Sequence, residues 1–577
     1  MAKARSVILG VGCLILVIGI VLVALVVRGM SKPKLPSTVV LAINLAGPIA
    51  EVTAEDPFAE MFGEQPLSLQ NLRWALVRAA EDDRVQGVRL RIGSFGGGFA
   101  MTQELRDLLQ GVRASGKWTS AYLDTAGEFA PGNSVYYLAS ACDEISLHPG
   151  GDVNLIGFSV RSPFFRGTFD KLGIRPEFPG RGDYKTARFM YTERDFTPEA
   201  REMIDWLVGS LFDQLIEGVA QGRGMEPDEV RNLVDRGPFL GEETEEAGLV
   251  DHREDWTTFT ERIKEKAESA KVVGLHQYLA RGGSSSRGAK IAVVTAVGGI
   301  MRGESRREFN PLFGMNDVMG SETIAGAFRA IRKDDDIKAV VFRIDSPGGS
   351  ALASEIIREE MARTAEKIPV VVSMGNVAGS GGYWITCGAQ SIVADPGTIT
   401  GSIGVLTGHL NMEGFYNDKL GITFGKSDFG ANADIYGSLE DWNDQQRAIV
   451  DRVLDRIYDR FVTLVSESRG MSWDEVDAIG RGRVFTGIQA MENGLVDMVG
   501  GFDAALEEAK KLAEIDADAK VRMVNFPKVK PWWQKFVKKK SDDQVALESA
   551  LREFETLMRT GVVRLPGEVW MPPVVLQ

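Results

Sequence analysis

The sequence predicts an α/β protein built as a tandem duplication behind one N-terminal transmembrane helix. Three observations predict it: a long internal repeat, an alternation of short β-branched runs with amphipathic helical windows, and 21 consecutive uncharged residues near the start.

The uncharged stretch, Val7 to Val27, is long enough as a helix to cross roughly 30 Å of hydrocarbon. A secretory signal has a shorter apolar core, about 7–15 residues, followed by a small-x-small cleavage pattern. No such pattern follows Val27, so an uncleaved anchor is expected. Lys3 and Arg5 lie on one side of it and Arg28, Lys32 and Lys34 on the other, so charge bias does not choose its orientation. Residues 1–37 thus comprise the N-terminus, the anchor and a stalk containing Pro and Lys.

The repeat comes next. DDRVQGVRLRIGSFGGG (Asp82 to Gly98) parallels DDDIKAVVFRIDSPGGS (Asp334 to Ser350) at an offset of 252. YYLASACDEISLHPG (from Tyr136) parallels YWITCGAQSIVADPG (from Tyr383) at 247, and RGMEPDEV with GLVD (Arg223 to Asp251) recurs as RGMSWDEV with GLVD (Arg469 to Asp497) at 246. Three matches in one order at slowly drifting offsets describe a duplication. Its copies span 38–279 and 291–517, joined by a polar, glycine-rich linker at 280–290.

In the second copy, Ile291–Val297, Ala339–Ile344, Pro369–Met374 and Ser391–Ala394 read as buried strands. Ile324–Arg332, Leu352–Thr364 and Trp442–Ser466 read as helices, and such alternation predicts largely parallel strands. A tail, 518–577, follows. Its segment PKVKPWWQKFVKKK (Pro527 to Lys540) reads either as a membrane-surface contact or as a solvated lysine face with packed tryptophans.

Composition removes several classes of function. A net charge of −14 argues against binding nucleic acid by phosphate neutralisation. Cys13, Cys142 and Cys387 allow at most one disulfide. The four histidines have no ligand-like spacing, so neither a metal nor another cofactor is expected.

The chemistry shows in what each copy has and the other lacks. In the second copy a strand runs into DSPGGS (Asp345 to Ser350), where two glycines let backbone N–H groups approach a ligand, as an oxyanion hole requires. The next strand leads into NVAGSGGYW (Asn376 to Trp384), with Ser380 at a helix start that favours developing negative charge. Ser380 standing alone would read as an N-cap serine. The first copy has Asn133 at the aligned position, and carries GRGDYKTA (Gly180 to Ala187) with Lys185. The corresponding stretch of the second copy, SDFGANAD (Ser427 to Asp434), has no lysine. One copy supplies a serine and the other a lysine. A lone lysine is ordinarily a solvated surface charge.

With SPGGS, AGSGGYW, TITGSIGV (Thr398 to Val405) and YKTA followed by TPEARE, the chain resembles signal peptide peptidase A in its long, duplicated form, from the anchor to about residue 517. The second half alone is also similar to Clp-protease and crotonase domains. The resemblance implies a tandem crotonase/Clp-protease-like fold and a homotetramer. It also implies a single-pass anchor in the cytoplasmic membrane, with the N-terminus inside and the body on the periplasmic side. It makes Ser380 the nucleophile, Lys185 the general base and Ser402 a lysine-positioning residue, with Gly349 (or Gly348) and Gly381 as oxyanion donors. The implied substrates are cleaved signal peptides. Gly379 departs from the alanine or serine usual in the family, and RFMYTERDF after Lys185 is less familiar.

Free lysine, with a pKa of about 10.4, is a poor base at neutral pH, and burial lowers that value. His409 and His148 are the rival bases, and Asp345 invites a triad reading although its strand-end position suits a turn equally well. Two other functions fit parts of the pattern. A crotonase-type acyl-CoA enzyme would use the same glycine N–H groups on a thioester and would bind CoA. A catalytically inert membrane scaffold would tolerate loss of Ser380.

Overall fold

The computed structural model describes residues 35–53, 67–268, 270–282, 288–310 and 314–527. The expected anchor and the tail segment beyond Pro527 lie outside them. No helix among the described residues is long and apolar enough to cross a membrane.

Two sheets dominate. The first takes β1 (Val39–Pro48), β2 (Val85–Gly96), β3 (Trp118–Leu123), β4 (Glu144–Leu147), β5 (His252–Arg253) and β6 (Lys271–Gly274) in the order β6-β1-β2-β3-β4-β5, every pair parallel. The second is built from β7 (Ala289–Val297), β8 (Ile337–Ser346), β9 (Val370–Gly379), β10 (Ser391–Ala394), β11 (Ile399–Gly401), β12 (Val484–Phe485), β13 (Met498–Val499) and β14 (Val521–Phe526). Its path β14-β7-β8-β9-β10-β13 repeats the first order strand for strand, and β9 branches near its end to β11, which pairs with β12. The central strands, β3, β4, β8, β9 and β10, are buried on both faces, as parallel strands covered by helices must be.

The helices used below are α1 (Leu69–Glu81), α2 (Phe99–Ala114), α3 (Asn133–Ala139) and α4 (Pro198–Arg223) in the first half. The second half adds α5 (Ser321–Ile331), α6 (Ala351–Ala365), α7 (Gly381–Trp384) and α8 (Asp444–Arg469). Local chemistry sets their ends. Thr197 caps α4 through Ala200 N–H with Pro198 in its first turn, and Asn443 forms a capping box with Gln446 on α8. Both long helices stop at a left-handed glycine, Gly224 and Gly470. The arginine before each glycine explains the repeated RGM and GLVD motifs. Arg223 binds Gly248 O and the Asp251 carboxylate, and Arg469 binds Gly494 O and Asp497 in the same way.

Three boundaries differ from the sequence reading. β9 continues past Met374 to Gly379 because the strand bulges rather than ends there. A helix (Leu275–Gly282) and β7 occupy both ends of the expected linker. The second sheet gains β14 beyond residue 517, at the edge position that β6 holds in the first.

Residues 35–53 and 67–525 of the described chain form one compact unit; of the other unit, 54–65 with 526–577, only 526–527 are described. The halves of the first unit share a buried charge cluster. Arg343 on β8, 2% exposed, reaches Glu51 at 3.0 Å and Glu104 at 2.8 Å, and Arg73 of α1 binds Glu104 at 2.9 Å. Asp395, also fully buried, lies 4.0 Å from Arg343, and burial together with the Glu104 charge holds its carboxyl well above the usual range. A neutral Asp395 leaves two guanidinium groups facing two carboxylates, the balance a dry interior demands.

Candidate active site

Ser380 stands at the join of β9 and α7 with φ +53 and ψ −118, a conformation rare for a residue with a Cβ. The surroundings hold it there. Its N–H donates to Gly401 O on β11 at 2.9 Å, and its carbonyl accepts from Tyr383 and Trp384 N–H. No larger residue fits around it: a Cβ on Gly382 would lie 2.5 Å from Ser346 O, and one on Gly348 would lie 2.8 Å from Ser380 Cβ. Gly379 differs, because a Cβ there would meet nothing closer than 3.7 Å. The alanine usual in the family at that position would fit here without displacing a neighbour.

The turn after β8 completes one wall. Gly348 and Gly349 adopt φ +100 and +153, and Ile300 N–H and O bond to Gly348 O and Ser350 N–H. Gly348 N–H is taken by Ser346 Oγ at 3.2 Å. Gly349 N–H and Gly381 N–H donate to no group among the described residues, and a Cβ on Gly381 would lie 3.1 Å from Gly349 N. Two free N–H groups side by side suit an oxyanion.

Lys185 arrives from the first half on an arm that crosses to the second. Arg175–Glu177 pairs antiparallel with His409–Asn411, and Gly180–Arg181 pairs with Val405–Leu406. Arg181 is clamped by Asp451 and Asp455 of α8, and Tyr184 N–H donates to Arg481 O at 2.9 Å. Lys185 Nζ then lies 2.9 Å from Ser380 Oγ, 2.9 Å from Ser402 Oγ and 2.9 Å from Ser402 O. Lys185 is 7% exposed, with no carboxylate among the described residues bonded to it. Burial pushes its ammonium down to about 8.

The other candidates are engaged elsewhere. His409 faces Glu440 O and the Trp442 ring, and His148 accepts from Gly150 N–H. Asp345 bonds Val377 N–H and Asn376 rather than either residue of the pair. Asn133 has become a brace: its amide bonds Gly157 O at 2.6 Å and Ile156 N–H at 3.1 Å. Sequence reading missed Gly482. It sits at φ +86 with its missing Cβ 2.4 Å from Lys185 N, so the lysine loop packs directly on this backbone. The GRGR run (Gly480 to Arg483) was the available signal.

Comparison with known proteins agrees in class with this geometry. The model of Peptidase family S49 matches residues 127–270 and 362–516. The chain is 32% identical to serine protease SPPA, chloroplastic, of Arabidopsis thaliana, over 80% of this chain and 68% of that one. It is 30% identical to Protease 4 of Haemophilus influenzae, over 91% and 85%. It is 36% identical to the putative signal peptide peptidase SppA of Enterococcus faecium, over 32% and 53%. The protein is therefore a serine peptidase with a mixed α/β fold. It belongs to peptidase family S49, in the long form carried by the first two relatives. The acyl-CoA and scaffold alternatives give way to that membership.

Proposed function

We propose that this chain is a membrane-anchored serine endopeptidase that degrades residual signal peptides released from exported preproteins, using Ser380 and Lys185 as a catalytic dyad. One observation carries the reading: Lys185 Nζ, buried and without a counter-ion among the described residues, lies 2.9 Å from Ser380 Oγ. A lysine lowered to about 8 is substantially neutral at mildly alkaline pH. Its lone pair takes the Ser380 proton as Oγ attacks the peptide carbonyl. The carbonyl oxygen, now an anion, faces the Gly349 and Gly381 N–H groups. Protonated Lys185 passes the proton to the leaving amine as the C–N bond breaks, leaving an acyl-serine. Water, deprotonated by the neutral lysine, then attacks the acyl carbon; the C–Oγ bond breaks to release the acid, and protonated Lys185 gives its proton to Ser380 Oγ. Ser402 orients Nζ with its hydroxyl and carbonyl.

The substrate assignment is supported by the likeness to the Enterococcus relative, a putative signal peptide peptidase. The uncharged run Val7–Val27 supports a single-pass anchor in the cytoplasmic membrane, with the body on the periplasmic side. The repeated strand order supports a tandem crotonase-like duplication, and the family likeness carries the expectation of a homotetramer. Labelling with a fluorescent serine-reactive probe tests the dyad. Wild type should label, while Ser380→Ala and Lys185→Ala should not; undiminished labelling of Lys185→Ala would sink it.

A further inference from the structure

β9 leaves the register set by β8 just before Ser380. The ladder pairs Ile344 with Met374 and next Ser346 with Ala378, so Gly375, Asn376 and Val377 stand opposite Asp345 alone. A bulge of this size strips backbone groups of their ladder partners. Asp345 replaces them: Oδ1 accepts from Val377 N–H at 3.0 Å and Oδ2 from Asn376 Nδ2 at 3.2 Å. Asn376 points its own oxygen the other way, accepting Met101 N–H at 3.0 Å. Met101 lies in the first turn of α2, in the half that carries Lys185. Gly98 makes room for this contact, since a Cβ there would lie 2.0 Å from Asn376 Oδ1.

The first copy has none of this. Gly93 stands where the second copy has Asp345, and Asp124 to Gly132 contains no asparagine. There the β2–β3 ladder runs from Gly87 with Trp118 to Ile92 with Leu123 and ends, whereas the second copy's ladder goes on past Asp345 to pair Ser346 with Ala378. The bulge and the carboxylate filling it occur in the copy that has the serine. Ser380 needs such support, because its backbone is held at positive φ and relaxes if the strand end is freed.

We propose that Asp345 and Asn376 are positioning residues for Ser380, holding the bulged end of β9 where Oγ meets Lys185 Nζ and tying it to the lysine-bearing half. The inference rests on the proposed Ser380–Lys185 dyad. Its test measures kcat, KM and thermal melting for Asp345→Ala, Asp345→Asn, Asn376→Ala and Lys185→Ala in detergent-solubilised full-length protein. Misplacing the nucleophile lowers kcat about ten- to a hundredfold in Asp345→Ala and Asn376→Ala with KM unchanged. Asp345→Asn keeps an oxygen for Val377 N–H but sets an N–H2 group against Asn376 Nδ2, so it recovers part of kcat. Wild-type kcat in both alanine variants, with Lys185→Ala inactive, overturns the positioning role and leaves the dyad standing. Equal losses in Asp345→Asn and Asp345→Ala overturn the hydrogen-bond route. Activity in Lys185→Ala overturns the dyad and this inference with it. If Asp345→Ala does not fold, the other two decide: lowered kcat in Asn376→Ala with activity retained in Asp345→Asn supports the role, and wild-type kcat in Asn376→Ala overturns it.

Discussion

Lys185 Nζ and Ser380 Oγ lie 2.9 Å apart although 195 residues separate them in the chain. The contact joins the two halves of one compact unit, with the lysine buried and its remaining bonds made to Ser402. No carboxylate among the described residues pairs with it, and desolvation lowers its pKa. Four predictions follow from this arrangement and from the packing around it.

Activity should rise with pH. In the proposed dyad the base works as the neutral amine, and burial brings that form within reach at about pH 8. A kcat/KM profile for a small peptide should climb through a half-point near that value. A half-point near the usual histidine value of about 6.5 would point to another base.

Stability should follow the same titration with a definite sign. The folded-state value, about 8, lies below the unfolded 10.5, so between them the unfolded chain binds more protons and stability rises with pH. Below pH 8 the penalty is fully present; above 10.5 it is gone. Lys185→Met lacks the titrating group, so wild type should gain stability relative to it, by about 1–3 kcal/mol, across that window. Urea unfolding of both proteins at several pH values checks this, and a constant difference would contradict it.

Gly482→Ala should damage the enzyme without replacing either member of the pair. A Cβ would intrude to 2.4 Å from Lys185 N, at a φ of +86 where alanine is strained by about 1 kcal/mol or more. Displacing the lysine loop should cost about tenfold or more in kcat. Gly379→Ala, with 3.7 Å of clearance, should stay within about twofold, because nothing has to move. Comparing kcat for the two variants separates a specific steric requirement from a general intolerance of change near the site.

Arg343 and Arg91 occupy the same place in the repeat but different surroundings. Arg343→Met strands Glu51 in the interior and should cost about 3–5 kcal/mol. Arg91 pairs with Asp124 in the open, at 41% and 50% exposure, and Arg91→Met should cost less than about 1 kcal/mol. Equal losses in urea unfolding would refute the contrast.

Much of this was legible in the chain itself. β-branched runs marked β7, β8 and β10 nearly to the residue, because a strand buried on both faces cannot hide its composition. Glycines needing positive φ marked Gly348 and Gly349 for the same kind of reason. The unmatched Ser380 and Lys185 stood out against their partner copy, where Asn133 now braces a loop.

Local sequence therefore determined the α/β character, the repeated motifs and the residue types available for chemistry. Tertiary structure decided which of them meet. It engaged the Gly348 N–H with Ser346 and left that of Gly349 free among the described residues, extended β9 through a bulge filled by Asp345, and carried Lys185 across to Ser380 on an arm clamped by α8. These outcomes depend on register and packing between segments far apart in the chain, whereas periodicity and turn chemistry act over a few residues. A hydrogen bond 195 residues long in sequence has no local signature; it exists because two halves are packed against one another.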